Sequence, residues 1–242
     1  MENYVGKVAV ITGSSAGIGA TISKELVKRG MKVVGLARRL ERLEDLKKQL
    51  SNESGQFYSL QCDIRNEKEI LNAFEWVEKN LGGVDVLVNN AGLMQITTLS
   101  DGDIEKWKTV LDTNVLGLCI ATREAVKSMK KRAVSGHIIH INSLAGHRVV
   151  PQVASTFNVY FASKFAVRAL AETLRFELAH SKLKIKVCNI SPGYVEHTEF
   201  LIAGGATEIP EFVKNASYLI PENIAEAVVY VLSTPPNVDV SD

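Results

Sequence analysis

Apolar positions along the chain follow two periods in alternation. Short β-branched runs, "KVAVIT" (7–12), "KVVGLA" (32–37), "FYSLQCD" (57–63), "DVLVNNA" (85–91), "HIIHINS" (137–143) and "IKVCNIS" (185–191), are separated by stretches with helical spacing at 17–29, 39–50, 66–80, 103–131, 155–180 and 222–232. Several short runs are almost continuously apolar, the pattern of strands covered on both faces. Parallel strands need a crossover between them, and a helix supplies it. The alternation therefore predicts an α/β fold, a Rossmann-type doubly wound parallel sheet with helices on both faces. No repeat, low-complexity tract or linker-like boundary interrupts the pattern, so residues 1–242 are expected to form a single domain. The stretch 198–221 fits neither period, and Gly204, Gly205 and Pro210 break it. A long segment of that kind in a compact domain tends to be functional, and it is expected to be a flap over a substrate.

Composition narrows the classes of function. With 46% hydrophobic and 23% charged residues the chain can bury an ordinary globular core. A formal net charge of +1, without a block of like charges, gives no footing for nucleic acid or an acidic membrane surface. No apolar run approaches the roughly 18 residues of a membrane span, and "MENYVGKVAVITG" carries no secretory leader pattern. Cys62, Cys119 and Cys188 are odd in number and far apart, which fits thiols in a reducing compartment. A cytoplasmic location is expected. The five histidines show no metal-binding spacing, so no metal is expected. Trp76 and Trp107 fall at apolar helix positions and read as core.

"TGSSAGIG" (12–19) follows the first strand and opens the first helix. Glycine lets backbone turn sharply and approach a ligand without an intervening Cβ, and a helix N-terminus offers free N–H groups to a pyrophosphate. The spacing is G-x-x-x-G-x-G rather than G-x-G-x-x-G, so the motif alone also fits a turn that only joins strand to helix. Its position favours nucleotide binding by Gly13, Ser14, Ser15, Gly17, Ile18 and Gly19. At the end of the second strand, where NAD sites place a carboxylate on the ribose, the chain reads "LARR". Arg38 and Arg39 could merely open a charged helix, or clamp a 2′-phosphate, with no neighbouring carboxylate in the sequence to repel it. The second reading is preferred, and with it NADP(H) over NAD(H).

In "NVYFASKFAV" (158–167), Tyr160 and Lys164 lie one helical turn apart with small residues between them. They are either surface decoration or an acid and the cation that tunes it. A free phenol has a pKa of about 10, and an ammonium at about 5 Å supplies roughly 3 kcal/mol toward the phenolate at an effective dielectric constant near 20. Lys164 is therefore expected to pull Tyr160 toward neutrality.

Together "TGSSAGIG", "NNAG" (89–92), "INS" (141–143), "YFASK" and "SPG" (191–193), in this order across the whole chain, resemble the short-chain dehydrogenase/reductase family. "MKVVGLARR", "HINSLAGHRVVPQV" and "AVVYVLSTPP" resemble more narrowly the group around dehydrogenase/reductase member eleven and the insect farnesol dehydrogenases. The resemblance implies a catalytic set of Asn114, Ser143, Tyr160 and Lys164, with Lys164 also holding the nicotinamide ribose and Asn114 a water. It implies an adenine contact at Asp63 and Ile64, a ribose region at Asn90, Ala91 and Gly92, and a nicotinamide near Pro192, Gly193, Val195 and Thr198. "PGYVEHT" departs from the family's P-G-x-V-x-T, with His197 where Thr is expected, so either His197 or Thr198 takes the carboxamide. The sequence also stops about where the family's final edge strand would begin, so either the chain is truncated there or the sheet lacks that strand. The long helices at 103–131 and 155–180 resemble the family's dimer core, implying a homodimer or homotetramer. Met94, Leu144, Phe157 and Tyr194 are expected to wall a pocket for a lipophilic substrate. The implied activity is NADP(H)-linked hydride transfer between a carbonyl and an alcohol of a steroid, terpenoid or similar molecule. The alternative is a non-catalytic NADP(H)-binding redox sensor.

Overall fold

The computed structural model describes residues 1–206 and 218–241. Residues 207–217 of the expected flap lie outside the described residues. Strands β1 (Val8–Thr12), β2 (Lys32–Ala37), β3 (Gln56–Gln61), β4 (Val86–Asn89), β5 (His137–Ile141) and β6 (Lys186–Ile190) form one sheet in the order β3-β2-β1-β4-β5-β6. Every pairing is parallel. The helices are α1 (Gly17–Lys28), α2 (Leu40–Gln49), α3 (Glu67–Leu81), α4 (Ile104–Leu111), α5 (Leu118–Lys131), α6 (Asn158–His180), α7 (Phe200–Ala203) and α8 (Pro221–Ser233). This is the doubly wound α/β fold that the alternating periods predict. Among the described residues no seventh strand joins β6, although Asn189 N–H donates to the Ser241 carbonyl at 3.0 Å on its outer edge.

Strand alternation sorts the apolar residues into two layers. Ala9, Ile11, Val33, Val86 and Val88 pack with α1, α2 and α8, whereas Val8, Val10, Val34, Leu87 and Ile138 pack with α3, α5 and α6. All five residues of β1 are buried, which is why that run shows no polar face. Local chemistry sets the helix ends. Asn66 caps α3 by accepting from Lys68 N at 3.1 Å and Glu69 N at 3.4 Å, and Gly82 ends it at φ 82°.

Two expectations need correction. The helix expected over 103–131 is interrupted by a π-helical segment, Asp112–Gly117, where the wider turn redirects the backbone. Gly117 is needed there because a Cβ would collide with the Ile64 carbonyl. Trp76 and Trp107 are only half-buried: Trp76 lies 5.7 Å from the Tyr58 ring, and Trp107 Nε1 donates to Thr98 O at 3.2 Å.

Candidate active site

Strand order reverses between β1 and β4, and ligands of open α/β sheets bind in the crevice beyond the carboxyl ends at such a point. The glycine turn sits there. Gly13 and Gly17 have φ of 73° and 52°, the left-handed region that disfavours a side chain. A Cβ on Gly19 would collide with Gly13 O and Asn90 Nδ2, so this glycine brings α1 close to the strand ends. The start of α1 carries no side-chain cap, leaving N–H groups of its first turn for an anion.

Asn90 holds the turn rather than pointing away from it. Its Nδ2 donates to Thr12 O at 2.9 Å and Gly13 O at 3.2 Å, while Thr12 Oγ1 accepts from Asn90 N at 3.0 Å and Ala91 N at 2.9 Å. Thr12 was no part of the expected set; the threonine before the first glycine was the available signal. Ser14 is fully buried and donates to Ile11 O at 2.9 Å, so its hydroxyl is spent inside the turn. Ile18 is half-buried.

The arginine pair divides. Arg38 is exposed, whereas Arg39 reaches back to the glycine turn, its Nε and Nη2 lying 3.3 and 3.1 Å from Ser15 Oγ. The expectation that no carboxylate stands here is corrected: Glu199 accepts from Arg39 Nη1 at 2.7 Å and from Arg42 Nη1 at 2.6 Å. Those two guanidiniums hold the Glu199 carboxyl below its ordinary pKa. The contact joins residues 160 apart in sequence, so no local pattern announces it. Asp63 is turned onto Arg65, with Oδ2 2.6 Å from Nη2, and that hydrogen bond lowers its pKa. Ile64 is buried against the second core layer.

The catalytic candidates converge beyond β4 and β5. Ser143 follows β5 and its Oγ accepts from Ala145 N at 3.1 Å. The Ser143 side chain stands near enough to the Tyr160 phenol to lower its pKa. Asn114, in the π segment, donates from Nδ2 to Leu93 O at 2.8 Å and Ser163 Oγ at 3.0 Å, and Oδ1 accepts from Leu93 N at 2.9 Å. Ser163 Oγ in turn donates to Tyr160 O at 2.7 Å. Asn114 thus fixes both the loop after β4 and the turn of α6 that carries Tyr160. Ser163, noted in the sequence only as small, is part of that tie. Lys164 Nζ donates to Ile141 O at 2.9 Å and lies 5.8 Å from the Tyr160 ring centroid. Gly92 leaves room beside it, since a Cβ there would lie 3.7 Å from Nζ.

Electrostatics depart from the expectation. Burial pushes the Tyr160 phenol up to about 12, against the lowering effect of the Ser143 side chain. Burial also lowers Lys164 to about 8. Without cofactor, desolvation of the phenolate outweighs any help from the ammonium, whose Nζ is directed at a carbonyl.

His197 takes φ 57°, and its side chain is 72% exposed. Thr198 is thereby returned to the glycine turn, its Cγ2 lying 3.3 Å from where a Gly17 Cβ would stand. Pro192 O accepts from Leu144 N at 2.9 Å, and Val195 bridges Leu219. Gly193 lies against Leu144. Of the expected pocket walls, Leu144 is exposed, Met94 is fully buried, and Phe157 and Tyr194 pack around the Tyr160 cluster.

The sequence model of the short chain dehydrogenase family matches residues 7–208. The chain belongs to that family. Among curated short-chain dehydrogenases, it is 48% identical over 246 residues to farnesol dehydrogenase of Aedes aegypti, covering 100% of this chain and 96% of that one. It is 44% identical over 251 residues to dehydrogenase/reductase SDR family member 11 of Mus musculus, covering 100% and 94%. Solved relatives include an alcohol dehydrogenase of the archaeon Thermococcus sibiricus in complex with 5-hydroxy-NADP, with TM-score 0.84, 30% identity and 97% and 94% coverage. A closed serine dehydrogenase complexed with NADP+ superposes with TM-score 0.86 at 34% identity, covering 96% and 92%. As a short-chain dehydrogenase the chain is an oxidoreductase, and the recognised subgroup is the one its motifs suggest.

Proposed function

We propose that this short-chain dehydrogenase is an NADP(H)-dependent oxidoreductase acting between a carbonyl and a primary or secondary alcohol of a lipophilic small molecule, with Tyr160 as general acid/base. One observation carries the reading: buried Tyr160 and Lys164 and half-buried Ser143 come together at the carboxyl edge of the sheet, beside a turn whose Gly13 and Gly19 leave no room for a side chain. The uncapped α1 start, Gly13, Ser15, Gly17 and Gly19 fit a pyrophosphate, and Arg39 fits a 2′-phosphate. Asp63, Ile64, Asn90, Ala91 and Gly92 would flank the nucleoside, and Pro192, Gly193, Val195 and Thr198 the nicotinamide. When bound, the nicotinamide supplies or accepts the hydride.

The chain's own residues handle the proton. Tyr160 donates to the carbonyl oxygen in reduction and withdraws the proton in oxidation. Ser143 hydrogen-bonds the same oxygen and stabilises its developing charge. Lys164 favours the phenolate and Asn114 positions the residues around them. Met94, Val153, Phe161 and Leu201 form an apolar cluster around Tyr160, which supports a lipophilic substrate. The names of the farnesol dehydrogenase and member 11 relatives point the same way. Exposed Leu111, Leu116, Phe165 and Phe176 on α4, the π segment and α6 support a homo-oligomer. Cys62, Cys119 and Cys188 form no disulfide, which fits the proposed cytoplasmic location. Among the described residues no helix is long and apolar enough to cross a membrane.

The test is Tyr160→Phe, assayed by nicotinamide absorbance across terpenoid alcohols, steroids, retinoids and dicarbonyls. The variant is expected to bind NADPH as the parent does and to lose at least about a hundredfold in kcat. Near-normal turnover would remove Tyr160 from the chemistry. A parent that binds NADPH but turns over nothing in the panel would favour the redox-sensor reading.

A further inference from the structure

Glu199, immediately before α7, bridges two guanidiniums: Oε2 accepts from Arg39 Nη1 at 2.7 Å and Oε1 from Arg42 Nη1 at 2.6 Å. Arg39 is held from the opposite side by Ser15 Oγ of the glycine turn. Beside them opens a cleft of about 270 Å³ whose lining includes Ser15, Lys24, Arg42 and Asp45. An anion already engages the guanidiniums that would meet a 2′-phosphate. The next residue, Phe200, lays its ring 5.3 Å from that of Tyr160 in a tilted, edge-on contact, and Tyr160 is only 8% exposed. One short segment therefore touches both ends of the site.

We propose that Glu199 is a specificity-determining latch: it holds Arg39 and Arg42 in the cofactor-free chain, a 2′-phosphate exchanges with it, and the exchange loosens Phe200 from Tyr160. The inference rests on the reading of Arg39 as a phosphate contact. A phosphate monoester carries about −1.5 to −2 charge near neutral pH and three strong acceptor oxygens; a carboxylate carries one charge and two oxygens. The ribose hydroxyl of NAD(H) carries no charge and leaves the latch closed. The Arg39, Arg42 and Glu199 side chains are 40%, 43% and 50% exposed, so the ion pairs are weak enough for one charged ligand to replace. The latch thus adds a second consequence to recognition of the phosphate: uncovering of the catalytic tyrosine.

The experiment uses the full chain and two fragments, 2′,5′-ADP and 5′-AMP, titrated calorimetrically against the parent and Glu199→Gln. The variant is expected to bind 2′,5′-ADP about three- to tenfold tighter than the parent and 5′-AMP equally. In the parent, 2′,5′-ADP but not 5′-AMP is expected to speed amide hydrogen exchange across residues 200–203. Unchanged or weaker 2′,5′-ADP binding by the variant overturns the latch, as does slower exchange, which would show Glu199 closing the segment over the phosphate. A parent that binds the two fragments equally overturns the phosphate reading and the latch together. A parent that prefers 2′,5′-ADP, with a variant that matches it, overturns the latch alone.

Discussion

A phenol in a dry site resists ionisation, because the phenolate loses more hydration than the neutral form, and Tyr160 occupies such a site. Its pKa near 12 implies that the cofactor-free chain stores a neutral phenol. A difference titration between the parent and Tyr160→Phe is expected to show no tyrosinate from this residue below pH 10; its appearance near pH 8 would mean that Lys164 already dominates. The third glycine of the turn makes a second prediction at this scale. Alanine at Gly19 must displace Asn90 or the Gly13 carbonyl, so Gly19→Ala is expected to lose about 1–3 kcal/mol in chemical denaturation, the usual size of overpacking. Tenfold or more of NADPH affinity should go with it, and a variant with parental values would remove the close-approach argument.

Strand β5 carries the clearest consequence at the scale of an element. All five of its residues are buried, two of them histidines. Burial lowers His137 to about 4, with Lys186 adding to the effect, and His140 to about 3, with Lys164 and Arg175 adding to it. Both stay neutral in the folded chain while the unfolded chain protonates near pH 6.5. The unfolded state therefore binds more protons as pH falls below 6.5, and the stability contributed by the neutral histidines is lost progressively toward pH 3–4. At about 1.4 kcal/mol per histidine per pH unit, the drop from pH 7 to pH 5 comes to roughly 4 kcal/mol. Urea unfolding at the two pH values measures it, and His140→Gln is expected to halve the dependence. The π segment belongs to this scale too. Its pattern of apolar residues reads as ordinary helix, because one wide turn barely disturbs a periodicity summed over many residues. What it changes is the placement of Asn114 against Leu93 and Ser163.

At the scale of the whole molecule, the unpartnered apolar side chains of Leu111, Leu116, Phe165 and Phe176 set the expectation. Phe165 and Phe176 are three helical turns apart on α6 and so share a face. A second copy would bury that face, and Phe176→Glu, a charge placed within it, is expected to turn a dimeric parent into monomer by light scattering without altering the cooperativity of unfolding. A parent that is monomeric at micromolar concentration would overturn the assembly.

The sequence by itself determined the strand–helix alternation, the glycine turn and the spacing of Tyr160 and Lys164, because each is a local pattern of the chain that its neighbours in sequence already fix. It also put Ser143 at the end of the fifth apolar run, although the strand itself stops two residues earlier, at Ile141. Tertiary structure alone decided the rest. Glu199 meets Arg39 across 160 positions, Asn90 and Thr12 tie two strand ends together, and Asn114 reaches Leu93 and Ser163. The phenol's acidity reversed in sign from the expectation for the same reason: the attraction of a nearby cation can be counted along a helix, whereas the water removed from both groups is set by everything that packs around them.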